Sequence, residues 1–187
     1  MKRLVALGIS IGVLAGLFTW VAFSITSFGS WTSPLVVWVG FAAWAMFYAK
    51  GGGVEGLKVS GASLLSGAVW GWLIGAAWLA IAGGSMGFLG LCVAVGAFAM
   101  CVQAAVPLLS FIPGAFVGAA AYFGFAGGLG FTGPGFWSVV LSLVGGTVLA
   151  FASEKGADVI EKLMGLPAGD PAQAGGSHQS PREATAG

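Results

Sequence analysis

Charge is the scarcest commodity in this sequence. Seven Lys and Arg and six Asp and Glu make up 7% of 187 residues, against roughly a quarter in an ordinary soluble domain. A soluble fold of this size cannot find a polar surface in such an alphabet, because most residues of a small domain lie near its surface. Soluble enzymes, disordered hubs and nucleic-acid binders are excluded. The absence is also positional, since no charged residue occurs between Val59 and Ser153. A membrane enzyme would therefore have no acid–base groups at depth, and neither a proton relay nor a voltage sensor has its ionisable residues. There is one histidine, His178, placed near the C-terminus, and there are two cysteines, Cys92 and Cys101, inside the apolar run. No metal or cofactor site is expected from them. Met46, Met86 and Met100 could add soft ligands for Cu(I), but buried Cys and Met read first as packing.

What the sequence does have is hydrophobic residues (58%), 34 glycines and eight tryptophans, with a mean hydropathy of +0.98. At roughly 20 residues per crossing, this describes an all-α, polytopic membrane bundle. Residues 1–164 are expected to hold six spans, about 4–28, 35–49, 59–81, 88–104, 106–125 and 136–152. The last span runs on into the amphipathic stretch SEKGADVIEKLMGL. Residues 27–34 form a polar turn, GGGVEGLK (51–58) is the clearest loop, and GGSMG (83–87) and GGLGFTGPG (127–135) are further breaks. The weakest separation is 101–107. Without a turn there, spans four and five would merge and the C-terminus would change sides. Residues 165–187, rich in Gly, Pro, Ala and Ser, read as a disordered cytoplasmic tail.

Six spans place Lys2, Arg3, Lys50, Lys58, Lys155 and Lys162 on one side, and none near Ser30, Ser85 and Thr132 on the other. By the positive-inside rule both termini are cytoplasmic. Trp31, Trp78 and Trp137 fall near the uncharged rim, where interfacial aromatics belong.

Glycines recur every four residues in span one (Gly8, Gly12, Gly16) and span three (Gly67, Gly71, Gly75), with Gly114 and Gly118 in span five. Four-residue spacing puts them on one helix face, where small residues let backbones approach. GFAAWAM (40–46) and GAFAM (96–100) echo one another in the even spans. Together these point to three repeated two-helix units. The stripes also offer faces for partner helices, including a second copy in a homo-oligomer within the lipid bilayer.

The polar groups at depth are hydroxyls and one amide. Ser63 and Ser66 lie beside Trp70, and Gln103 sits near a helix end, as a cap, an interhelical bond or a solute contact. Pro107 and Pro113 flank LLSFI. They mark either a helix start and a packing kink or a broken helix lining a binding site. Packing or pore lining is thus the role expected for Gly8, Gly12, Gly16, Ser63, Ser66, Gly67, Trp70, Gly71, Gly75, Gln103, Pro113, Gly114 and Gly118. A channel or facilitator for a small neutral solute is the first functional expectation. A structural or accessory membrane protein is the alternative.

The glycine-spaced first helix, the segment GGGVEGLKVSGASLLSGAVWGWL (51–73) and the six-span layout resemble the DUF1097 family of small bacterial inner-membrane proteins. The resemblance covers residues 2–163. It implies a bacterial plasma-membrane location and a helical bundle, and transfers no site residue.

Overall fold

The computed structural model describes residues 2–25, 34–82, 85–127, 131 and 135–165. Expectations that fall on 26–33, 83–84, 128–130, 132–134 and 166–187 lie outside these residues, including those for Trp31, Thr132, His178 and the tail. Among the described residues all regular structure is helical: α1 (Lys2–Ser24), α2 (Val37–Ala49), α3 (Gly53–Ala82), α4 (Met86–Val102), α5 (Ile112–Ala126) and α6 (Gly135–Leu163). Two 3₁₀ turns, Gln103–Ala105 and Pro107–Leu109, join α4 to α5. Four helices, α1, α3, α4 and α6, are long and apolar enough to cross a membrane, while α2 and α5 are shorter apolar helices. At 1.5 Å per residue, α2 spans only about 20 Å and α3 about 45 Å.

Three boundaries differ from the sequence expectation, each for a local reason. Only Gly51 and Gly52 of GGGVEGLK form the turn, and α3 already begins at Gly53. Gly51, Gly52 and Gly53 all have positive φ (105°, 72° and 67°), so the reversal is complete within three residues. Gly56 N–H then donates to Gly52 O at 2.9 Å, and Glu55 occupies the first turn, where a carboxylate complements the helix dipole. The fifth helix starts at Ile112 rather than near 106. Pro107 opens a separate 3₁₀ turn and Pro113 sits in the first turn of α5, the one place where its missing N–H costs little. Pro113 therefore starts a helix and does not kink one. Lastly, α1 ends at Ser24.

Residue contacts give each helix a direction. Ser10 meets Ser153 and Arg3 meets Glu161, so α1 runs antiparallel to α6. Val36 meets Ser142 and Tyr48 meets Ser153, so α2 runs parallel to α6. Gly114 lies at Ser63 and Gly71 at Tyr122, making α5 parallel to α3. Trp70 bonds Gln103 and Ile74 packs at Gly96, making α4 antiparallel to α3. Gly61 faces Thr147 and Trp72 faces Phe136, so α3 and α6 are antiparallel. Consecutive helices thus alternate in direction.

The main pairings are α3 with α5 and α2 with α6, followed by α1 with α6. This pairing order does not confirm the three repeated two-helix units expected from the sequence. The central core joins Val39, Leu64, Phe125, Val139 and Leu143 from α2, α3, α5 and α6. Glycine sets the closeness of these pairs. A Cβ on Gly67 would collide with the backbone of Ala115, one on Gly118 with the Leu64 carbonyl, and one on Gly146 with the backbone of Gly40. In lipid, where apolar burial gives helices little reason to associate, such close packing supplies the attraction.

Candidate functional site

A group of uncharged polar side chains lies where α3, α4 and α5 meet. Ser63, Ser66 and Trp70 recur at three- and four-residue intervals on α3 and so share one side of it. Gln103 directly follows α4, at the first position of a 3₁₀ turn. Its side chain closes a chain of hydrogen bonds. The Trp70 indole Nε1 donates to Gln103 Oε1 at 3.0 Å, Gln103 Nε2 donates to Ser66 Oγ at 3.0 Å, and Ser66 Oγ donates to the Ser63 carbonyl at 2.8 Å. Of the roles open to Gln103, the structure shows the interhelical bond.

Beside this chain begins α5. The Cβ position of Gly114, in its first turn, lies 3.2 Å from Ser63 Cβ and 2.8 Å from the Phe111 ring. Any larger residue at 114 would push into both. The Ser63 hydroxyl is fully buried and has no hydrogen-bond partner, and the same holds for Ser60 one turn earlier. The first N–H groups of a helix carry partial positive charge. The arrangement is a cluster of uncharged donors and acceptors, without an ionisable group to move a proton.

The structure brings together Ser63, Ser66, Gly67, Trp70, Gly71, Gln103, Pro113, Gly114 and Gly118 around the α3–α5 contact. Gly75 lies further along, facing the Phe131 ring. Gly8, Gly12 and Gly16 stand apart. They are exposed, and a Cβ on any of them would meet nothing within 4 Å. Cys92 is half-buried, Cys101 is exposed and both are free. Met100 is buried against Ala115 and Ala119. No group of three or more His, Cys, Asp or Glu able to hold a metal occurs among the described residues. Trp78 Nε1 donates to the Ser85 carbonyl at 2.8 Å and Trp137 is exposed, as rim residues can be.

Two features were missed from sequence. Ser60 falls at the start of the expected third span and was not among the candidate residues, yet its side chain is fully buried in α3. At the charged end of the bundle, Glu154 and Glu161 are buried carboxylates. Glu154 Oε2 accepts the Gly53 N–H at 2.7 Å, and Glu161 lies 3.8 Å from Arg3. Ser153 is buried between them and α1, accepting Ser10 Oγ on its carbonyl at 2.8 Å and sharing a hydrogen bond with the Tyr48 hydroxyl at 2.8 Å. The signal was present in the spacing. Ala150, Glu154, Ala157 and Glu161 form one stripe of α6, and all four are buried.

A bundle of this kind can be compared with known proteins once its extent is fixed. The family model DUF1097, described as a protein of unknown function, matches residues 8–158, a stretch that runs from α1 to the buried end of α6. The chain belongs to the DUF1097 family. Among its relatives, the "Inner membrane protein YcdZ" of Escherichia coli (strain K12) is 36% identical over 159 residues, covering 81% of this chain and 84% of that protein. The YcdZ protein of Salmonella typhimurium is 35% identical over 159 residues, with coverages of 81% and 86%. A further relative, the "Uncharacterized protein YahC" of Escherichia coli (strain K12), is 34% identical over 161 residues, with coverages of 83% and 92%. No solved structure matches the chain.

Proposed function

We propose that this protein is a facilitator for a small neutral solute in the bacterial inner membrane. The reading has it crossing six times with both termini in the cytoplasm. The strict alternation of helix direction supports six crossings, with α2 and α5 as the shorter ones. Lys50, Lys58, Lys155 and Lys162 all belong to the end of the bundle at which Arg3 meets Glu161 and Gly53 meets Glu154. That end is the cytoplasmic one by the positive-inside rule. The printed name of the YcdZ relatives supports the inner membrane.

The observation that carries the solute reading is the uncharged polar cluster at the start of α5. Ser60 and Ser63 keep buried, unpaired hydroxyls there, beside the Trp70–Gln103–Ser66 chain. Buried polar groups left without partners are rare and costly, and in membrane proteins irregular backbone at depth is found where it is buried in protein or lines a cavity. The test is solute flux in proteoliposomes, followed by light scattering after mixing with urea or acetamide. Faster re-swelling than in protein-free vesicles supports the reading, and equal rates for both solutes reject it.

A second reading, an accessory protein that packs with partner helices, is favoured by the Gly8–Gly12–Gly16 face, where no atom of the described residues comes within 4 Å of a Cβ position. Loss of assembly in Gly12→Leu with flux unchanged would favour it.

A further inference from the structure

The two halves of the chain are built alike. Lys2–Ala82 and Met86–Leu163 each contain a first helix, a short second helix and a long third one. In each half the second helix packs along the third helix of the other half, α2 on α6 and α5 on α3. The first helices do the same, α1 on α6 and α4 on α3. The sequences agree in register: LGIS (7–10) with LGLC (89–92), GFAAWAMFY (40–48) with AFVGAAAYF (115–123), and SLLSGAV (63–69) with SLVGGTV (142–148). A Pro-Leu pair precedes each short helix, Pro34-Leu35 and Pro107-Leu108. The closest contacts also match, since Gly67 meets Ala115 where Gly146 meets Gly40. Because each half has three helices of alternating direction, the two copies run in opposite senses, the arrangement of an inverted repeat.

In that register Ser63 corresponds to Ser142, and the two differ in one respect. Ser142 Oγ accepts the Val36 N–H at 2.7 Å, just before α2, and donates to the Ser138 carbonyl at 2.7 Å. Ser63 holds the same place at the start of α5 but its hydroxyl is unpaired. Ser60, also unpaired, stands where the other copy has the apolar Val139. The second half therefore closes the short helix of the first with Ser142, whereas the first half leaves two hydroxyls open beside the positive end of the α5 dipole.

We propose that the start of α5, with the Ser60 and Ser63 hydroxyls, binds a small neutral carbonyl compound of the urea or acetamide class. This rests on the facilitator reading and names its substrate class. The donors there are the two hydroxyls, since Ile112 N–H already donates to the Ser110 carbonyl, Ala115 N–H to the Phe111 carbonyl, and Pro113 has none. Beside the positive end of the helix dipole the complementary group is an acceptor oxygen. No Lys or Arg lies between Val59 and Ser153, which leaves a dehydrated anion without a counter-charge. The Phe111 ring lies over Gly114, beside Ser63.

The test is saturation-transfer NMR of acetamide against the full-length protein in detergent, alongside thermal unfolding. Wild type is expected to bind. Ser63→Ala is expected to bind about tenfold more weakly, the size of one lost buried hydrogen bond. Ser142→Ala is expected to keep the affinity and lower the Tm. Ser63→Cys, slightly larger and a poorer donor, is expected to weaken binding also, and serves if Ser63→Ala does not fold. Wild-type affinity in a folded Ser63 variant overturns the site, and formate binding in place of acetamide overturns the carbonyl class. Acetamide binding without liposome flux rejects the facilitator reading while leaving the site. Flux that persists unchanged in the Ser63 variants does the reverse.

Discussion

Gly67 of α3 lies so close to Ala115 of α5 that no Cβ atom fits between their backbones. The contact joins one of the long helices to one of the two short ones, and Gly118 repeats it against the Leu64 carbonyl. Gly67→Leu is therefore expected to destabilise the folded bundle by about 3 kcal/mol or more, through overpacking that neither backbone can relieve cheaply. Gly71→Leu should be milder, because its nearest neighbours, Tyr122 Cβ and Cδ1 at 3.1 Å, belong to a side chain. Thermal unfolding in detergent orders the two.

The matching prediction for α1 is a null effect. Gly12 carries the same four-residue spacing but has nothing within 4 Å of its Cβ position. Gly12→Leu is expected to change the stability of the isolated chain by no more than about 0.5 kcal/mol. A large loss in monomer stability would mean that α1 packs differently from the arrangement described.

Trp70 and Gln103 should be energetically coupled. A double-mutant cycle of Trp70→Phe and Gln103→Leu is expected to give a coupling of about 0.6–1.7 kcal/mol, the range found for hydrogen bonds between membrane helices. Additive effects would place the amide elsewhere.

Glu154 holds the α2–α3 turn through the Gly53 N–H. Glu154→Ala is expected to cost about 1.5–3 kcal/mol, as for a hydrogen bond to a charged group. Glu154→Gln retains an acceptor oxygen and should recover part of that loss. Hydrogen exchange at residues 51–56 reads the same change locally, with faster exchange in Glu154→Ala.

Much of the helical layout was legible because it depends on composition. Long apolar runs and the placement of Lys and Arg mark the helices and their common charged end without any tertiary information. The ends of α3 and α5 were not legible, because they depend on how little chain a turn needs. Three glycines at positive φ reverse the chain at 51–53, so Glu55 and Lys58 belong to a helix. The candidate site was half legible. Ser63, Ser66, Trp70 and Gln103 stood out as the polar residues of an apolar run, but nothing in their spacing says that α5 begins against Ser63. The packing order was hidden by a similar limit. Glycine stripes show which faces are smooth and leave open which helix covers them, so the α1 stripe looks no different from the α3 stripe. Glu154 and Glu161 read as a solvated face because their burial is created by α1 and the α2–α3 turn.

The topology can be settled with single cysteines in a background lacking Cys92 and Cys101. Ser85→Cys is expected to react with an impermeant maleimide on intact spheroplasts, and Lys50→Cys and Lys155→Cys only after lysis. Labelling of all three from outside would contradict six crossings with cytoplasmic termini.

The central claim is that this bundle passes a small neutral solute, and flux tests it most directly. Proteoliposomes mixed with a hyperosmotic acetamide or urea solution are expected to re-swell faster than protein-free vesicles, with Gly12→Leu behaving as wild type. Re-swelling at the protein-free rate for both solutes, from protein shown to be folded, would contradict the account.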